Sequence, residues 1–65
     1  MDNTALLTNQ KLLKIKIEET ISNRTYVDCY FDKVIFTSQL SRVKFENCSF
    51  DNCRFTHMKN VKFTL

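Results

Sequence analysis

The side chains with the most chemical reach in this 65-residue chain are three cysteines and one histidine: Cys29, Cys48, Cys53 and His57. Cys48, Cys53 and His57 stand close enough in sequence to raise zinc ligation. Structural zinc takes about four Cys or His ligands, with paired ligands separated by about two to four residues. A Cys pair five apart with one histidine matches neither requirement, so no metal and no cofactor is expected. His57 has no Ser, Cys or carboxylate placed by a triad or ligand pattern, which leaves general-base chemistry without support. No catalytic residue is expected, and the chain reads as a non-enzyme. Asp28, Asp32, Glu46 and Asp51 read as solvated surface charge. Two N-x-S/T triplets, Asn23-Arg24-Thr25 and Asn47-Cys48-Ser49, would accept glycans in a secretory compartment, making Asn47 and Asn23 the candidate modification sites.

The elements that must position these residues are constrained by length. A chain of 65 residues allows one core, and a small one, so the packing has to be regular. Hydrophobic residues make up 43% and charged residues 26%, and six Phe with two Tyr supply large apolar area. Gly and Pro are absent, so turns built on glycine at positive φ or on a proline corner cannot organise the chain, and corners fall to Asn, Asp, Ser and Lys. The formal charge of +3 arises from ten cations interleaved with seven anions, a weak footprint for a polyphosphate partner. No apolar run approaches the roughly 20 residues of a membrane span, and the start lacks the basic and apolar regions of a secretory leader. No membrane insertion by this segment is expected.

Periodicity is the main signal. In VKFENCSFDNCRF, Phe45, Phe50 and Phe55 recur every five residues, and two positions before each stands Val43, Cys48 or Cys53. Cys29 with Phe31 and Val34 with Phe36 repeat the pair, preceded at the same interval by Tyr26 and Ile21. Neither the helical period nor the strand period describes this series. The register slips by one residue between Phe36 and Phe45, with Leu40 nearest the missing position, so one turn takes 19 residues. That offset carries Ile21 to Leu40, Tyr26 to Phe45, Cys29 to Cys48, Phe31 to Phe50, Val34 to Cys53 and Phe36 to Phe55, apolar onto apolar in every case. The expected core ladder is Tyr26, Cys29, Phe31, Val34, Phe36, Val43, Phe45, Cys48, Phe50, Cys53 and Phe55. Cys29 and Cys48 would stand one coil apart, within disulfide reach, although buried free thiols behaving as small hydrophobes are the favoured state.

Residues 1–20 lack the repeat. LLKIKIEE alternates Leu13, Ile15 and Ile17 with charged residues, which predicts a strand; a helix from Thr4 to Leu13 capped by Asp2 or Asn3 is the rival reading. Either would cap the open end of the 21–65 coil.

Five-residue units with an inward central Phe or Leu resemble the pentapeptide-repeat family. The resemblance implies an all-β chain folded as a right-handed quadrilateral β-helix, here of about two coils with an N-terminal capping segment. The Phe-rich, Cys-bearing units Cys29-Tyr30-Phe31 and Phe45-Glu46-Asn47-Cys48-Ser49-Phe50, with Leu13-Lys14-Ile15-Lys16-Ile17 before them, look like the luminal pentapeptide-repeat loop of the synaptic vesicle glycoprotein 2 family. That likeness implies a vesicle-lumen or extracellular protein-binding module, a glycan on Asn47, and a clostridial neurotoxin as a partner that pairs with an open β-edge. The edge would be supplied by Phe55, Thr56, His57, Val61 and Phe63. Edge-to-edge self-association uses the same groups. Two other readings are a DNA-mimicking, topoisomerase-protecting protein and a β-helix scaffold without a ligand. Mimicry needs an acidic rod, whereas residues 40–65 carry Arg42, Lys44, Arg54, Lys59 and Lys62 against Glu46 and Asp51; no nucleic-acid partner is expected.

Overall fold

A computed structural model describes residues 4–65. Eight strands account for most of them: β1 (Ala5–Thr8), β2 (Lys11–Leu13), β3 (Lys16–Ile17), β4 (Ile21–Val27), β5 (Tyr30–Asp32), β6 (Ile35–Glu46), β7 (Ser49–Asp51) and β8 (Arg54–Thr64). Every pairing is parallel. Strands β1, β4, β6 and β8 stack in that order, β3 stacks on the first part of β6, and β2, β5 and β7 form a second stack. Because β6 and β8 each run past two corners and β4 past one, single strands belong to several sides of the coil at once. The result is a β-solenoid of about three turns.

The register is the one the aromatic spacing predicts. Ile21 pairs with Leu40, Tyr26 with Phe45, Phe31 with Phe50 and Phe36 with Phe55. Downstream the offset shortens to 18, with Leu40 opposite Met58 and Phe45 opposite Phe63, and the shift falls between Phe36 and Gln39. Three residues, Thr37, Ser38 and Gln39, span that corner in one coil, whereas Thr56 and His57 span it in the next. The corner is held by hydroxyl groups. Thr37 Oγ1 donates to the Ile17 carbonyl at 3.0 Å, Ser38 Oγ to Glu18 at 2.6 Å, and Thr56 Oγ1 to Phe36 at 2.9 Å. A side-chain donor can follow a corner of changing length, because it supplies a bond that the backbone ladder loses there.

The other three corners are backbone devices. Nine of the described residues have φ between 51° and 57°, and they form three columns: Asn9, Asp28 and Asn47; Lys14, Lys33 and Asn52; Asn23, Arg42 and Asn60. Positive φ organises the turns without glycine, at the Asn, Asp and Lys residues expected to make the corners; Asn and Asp, which tolerate the left-handed region best after glycine, take six of the nine places and Lys two. No Ser is among them, and Arg42 is. The corner amides bond from coil to coil, as in Asn9 N–H to Val27 O at 3.0 Å, Asp28 N–H to Glu46 O at 3.0 Å and Asn47 N–H to Thr64 O at 2.7 Å.

The repeat also reaches further upstream than its aromatic members. β1, β2 and β3 pair with β4, β5 and β6 at the same 19-residue offset, so residues 5–17 form a first coil rather than a separate strand or helix. Leu7, Leu12 and Ile17 are the side chains that pack on the core, while Leu13 and Ile15 are exposed. The alternating reading of Leu13, Ile15 and Ile17 fails because Lys14 turns a left-handed corner between β2 and β3. The proposed caps Asp2 and Asn3 lie outside the described residues.

Inside, side chains of like shape stack. Tyr26, Phe45 and Phe63 form one column with ring centroids 5.2 Å apart at each step. Phe31 stacks on Phe50 at 4.8 Å and Phe36 on Phe55 at 4.9 Å, with planes within 7° of parallel. Neighbouring columns meet edge to face, as Phe31 does with Phe45 at 88°. Both geometries are favourable for aromatic quadrupoles.

Two outcomes follow for stability in urea. Phe31 is fully buried between coils, so Phe31→Ala should cost about 3–5 kcal/mol, against less than about 1.5 kcal/mol for Phe63→Ala at the exposed end of its column. Lys33→Gly should stabilise by about 0.5 kcal/mol, because relief of left-handed strain of ~1–2 kcal/mol exceeds a backbone entropy cost of ~0.5–1 kcal/mol. Lys59→Gly, on β8 opposite Ser41, should lose about 0.5–1 kcal/mol; equal effects at the two lysines would contradict the corner assignment.

Candidate functional site

The ends of a solenoid differ from its middle. Tyr26, Cys29, Phe31, Val34, Phe36, Val43 and Phe45 are buried, together with Ile21 and Leu40. Cys48, Phe50, Cys53 and Phe55, in the last coil, are half-buried and pack against them from one side. Met58 and Phe63 close the C-terminal end with 51% and 53% of their surface exposed. Apolar side chains at this exposure are what a further layer would cover.

β8 borders that end. It is eleven residues long, pairs with β6 along one side, and among the described residues no strand lies on its other side. Phe55, Thr56, His57, Val61 and Phe63 all lie on it. Their roles differ: Phe55 and Val61 face the core, Thr56 Oγ1 is committed to the Phe36 carbonyl, and His57 is exposed opposite Gln39. Phe63 is the member that offers both an exposed ring and a place at the edge.

Asn47 and Asn23 both occupy left-handed corners, in different columns. Asn47 is exposed, and its Nδ2 donates to Asp28 Oδ1 at 2.6 Å, one coil away. Asn23 is half-buried.

The thiols do not gather into a metal site; among the described residues, no three His, Cys, Asp or Glu side chains are grouped to hold an ion. Each sulfur instead sits over two carbonyls, from the residue two before it and from the coil above. Cys29 Sγ lies 3.4 Å from Val27 O and 3.6 Å from Leu7 O, Cys48 Sγ 3.3 Å from Glu46 O and 3.4 Å from Tyr26 O, and Cys53 Sγ 3.5 Å from Asp51 O and 3.4 Å from Phe31 O. A weak S–H donor at this inward position satisfies carbonyl groups at the rim of the core without adding volume. All three cysteines are free.

A feature that five-residue periodicity does not reveal lies on one side wall. A groove of about 500 Å³ is lined by Arg24, Arg42, Lys44 and Lys62, with Thr25, Asn60, Val43 and Val61 between them. Its cations come from three coils and meet only through the register: Thr25 pairs with Lys44, which pairs with Lys62. Arg24 stands at the position of inward Val43 and Val61, and its Nη1 donates to Tyr26 Oη at 3.3 Å. Glu46 reaches Lys44 at 3.7 Å in an exposed pair, an arrangement that contributes little net energy. The 18- and 19-residue offsets, applied to the charged residues instead of the aromatic ones, would have found this wall.

No protein-family model matches this chain, and no curated protein matches it. The fold itself defines the class, a β-solenoid with stacked parallel coils.

Burial pushes the Cys48 thiol above its ordinary pKa of 9.0, outweighing the backbone of Cys29, which lowers it, while the Cys29 thiol adds a smaller rise. A thiol whose pKa is raised by folding lends stability that is whole below the ordinary value and declines as pH passes through the raised one. Stability should therefore fall on the alkaline side of pH 9 and fall less in Cys48→Ala. Iodoacetamide at pH 8 should alkylate Cys48 several-fold more slowly in the folded chain than in urea. Equal labelling rates in the two states would remove the burial account.

Proposed function

We propose that this chain is a non-catalytic protein-binding module that takes up a partner's strand along the free side of β8. The observation that carries this reading is an eleven-residue strand, paired on one side among the described residues, beside an end that leaves Met58 and Phe63 half exposed. Strand addition draws affinity from main-chain hydrogen bonds and specificity from side chains next to the edge. Here those side chains are apolar, so the partner strand would carry an apolar residue over Phe63 and Met58.

The resemblance to the luminal loop of the synaptic vesicle glycoprotein 2 family makes a clostridial neurotoxin receptor-binding domain the first partner to try, with the chain bare and carrying a glycan at Asn47. Hydrogen exchange is the deciding measurement. In the free chain, amides of residues 55–64 that point away from β6 should exchange quickly, and partner binding should slow them. Met58→Lys with Phe63→Glu should weaken binding by at least tenfold while the chain keeps its fold by circular dichroism. Slow exchange along both sides of β8 in the free monomer, no binding at micromolar partner, or protection explained entirely by self-association in light scattering would each overturn this reading.

A further inference from the structure

The groove between Arg24 and Lys62 lies on a side wall, and β8 supplies its last rung through Asn60, Val61 and Lys62. Arg24 belongs to one coil, Arg42 and Lys44 to the next, and Lys62 to the one after. Three rungs at a strand spacing of about 4.8 Å spread the charge over about 10 Å along the solenoid axis. Lys44 and Lys62 stand directly opposite each other on neighbouring strands, an arrangement that opposes folding. Arg42 holds φ at 56° in a column whose other members are Asn23 and Asn60. One carboxylate, Glu46, reaches Lys44 from beside the groove. A wall that gathers four cations around a concavity, with one partner carboxylate among the described residues, has the electrostatics of an anion receptor.

The shape restricts which anion. A single phosphate or sulfate would meet one rung and leave the others unanswered. No aromatic side chain lines the groove, so nucleobases have no stacking platform. The polar groups between the cations are the Thr25 hydroxyl and the Asn60 amide, which suit the hydroxyl groups of a sugar ring. A volume of about 500 Å³ takes a ligand of a few rings.

We propose that this groove binds an oligosaccharide chain carrying sulfate esters, with successive sulfates on the Arg42–Lys44 rung and on Lys62 and with Arg24 closing the far end.

The test is calorimetric titration of the intact chain with a fully sulfated heparin-type tetrasaccharide, repeated with the desulfated sugar, inorganic sulfate and a single-stranded oligothymidylate of equal charge. The sulfated sugar should bind best, with affinity falling as salt rises. Lys44→Gln with Lys62→Gln should weaken it roughly tenfold, while Lys14→Gln with Lys33→Gln, which removes the same charge from a corner column outside the groove, should change it less than about twofold. In parallel, amide shifts on titration should centre on Thr25, Lys44 and Lys62. Equal losses in the two double variants would mean that only net charge is read. Oligothymidylate or inorganic sulfate binding as tightly as the sugar, or shifts centred elsewhere, would equally overturn the proposal.

Discussion

In this fold the inner strands must hydrogen-bond to the strand above and the strand below, so every coil repeats the cross-section of its neighbours at about 4.8 Å. That repeat distance governs what the interior can contain. Flat rings stacked face to face have nearly the same spacing, and the observed centroid distances of 4.8 to 5.2 Å in the Phe31, Phe36 and Tyr26 columns show backbone and side chains in step. A column of rings therefore needs no distortion of the ladder. Rings of adjacent columns then meet edge to face, the other favourable geometry for aromatic pairs.

Keeping the coils in step demands corners of fixed length, and three of the four are set by single left-handed residues. Each such residue costs conformational energy that glycine would avoid. Using Asn, Asp, Lys and Arg instead restricts the unfolded chain more than glycine would and provides side chains that can interact up the column, as Asn47 does with Asp28. The fourth corner has no such residue and is where the coil changes from 19 to 18 residues. Hydroxyl donors at Thr37, Ser38 and Thr56 hold it. Backbone-built corners preserve length, and the side-chain-built corner absorbs the change.

These physical differences decide what could be read from residue order. Phe31, Phe50 and their kin were legible because a large ring every five residues suits no other regular structure. The first coil was not, since Leu7, Leu12 and Ile17 are ordinary aliphatic residues, and adjacent Leu13 and Ile15 suggest a two-residue alternation that Lys14 interrupts by turning. The positions of Phe55, Thr56, His57, Val61 and Phe63 on one strand followed from the repeat, but their separate roles did not. Facing inward, bonding to a carbonyl or lying open depends on where β8 bends at Thr56 and His57. The cationic groove was the least visible, because Arg24, Lys44 and Lys62 are distant in sequence and become neighbours only through the coil offset.

The two binding surfaces proposed for this chain rest on different kinds of cause. An exposed strand and a half-covered ring at the end of a stack belong to the architecture, and any solenoid of this kind would present them wherever its coils stop. The side wall is a matter of residue choice. Nothing in the ladder asks for Lys at 44 and again at 62, since the equivalent position one coil earlier is Thr25, and a neutral side chain there would spare the fold a like-charge contact. Nor does the core ask for Arg24 where Val43 and Val61 serve. Features that oppose stability and that the architecture does not require mark the place where a ligand has its say. By that standard the groove is the more specific of the two surfaces, and the end of β8 the more general.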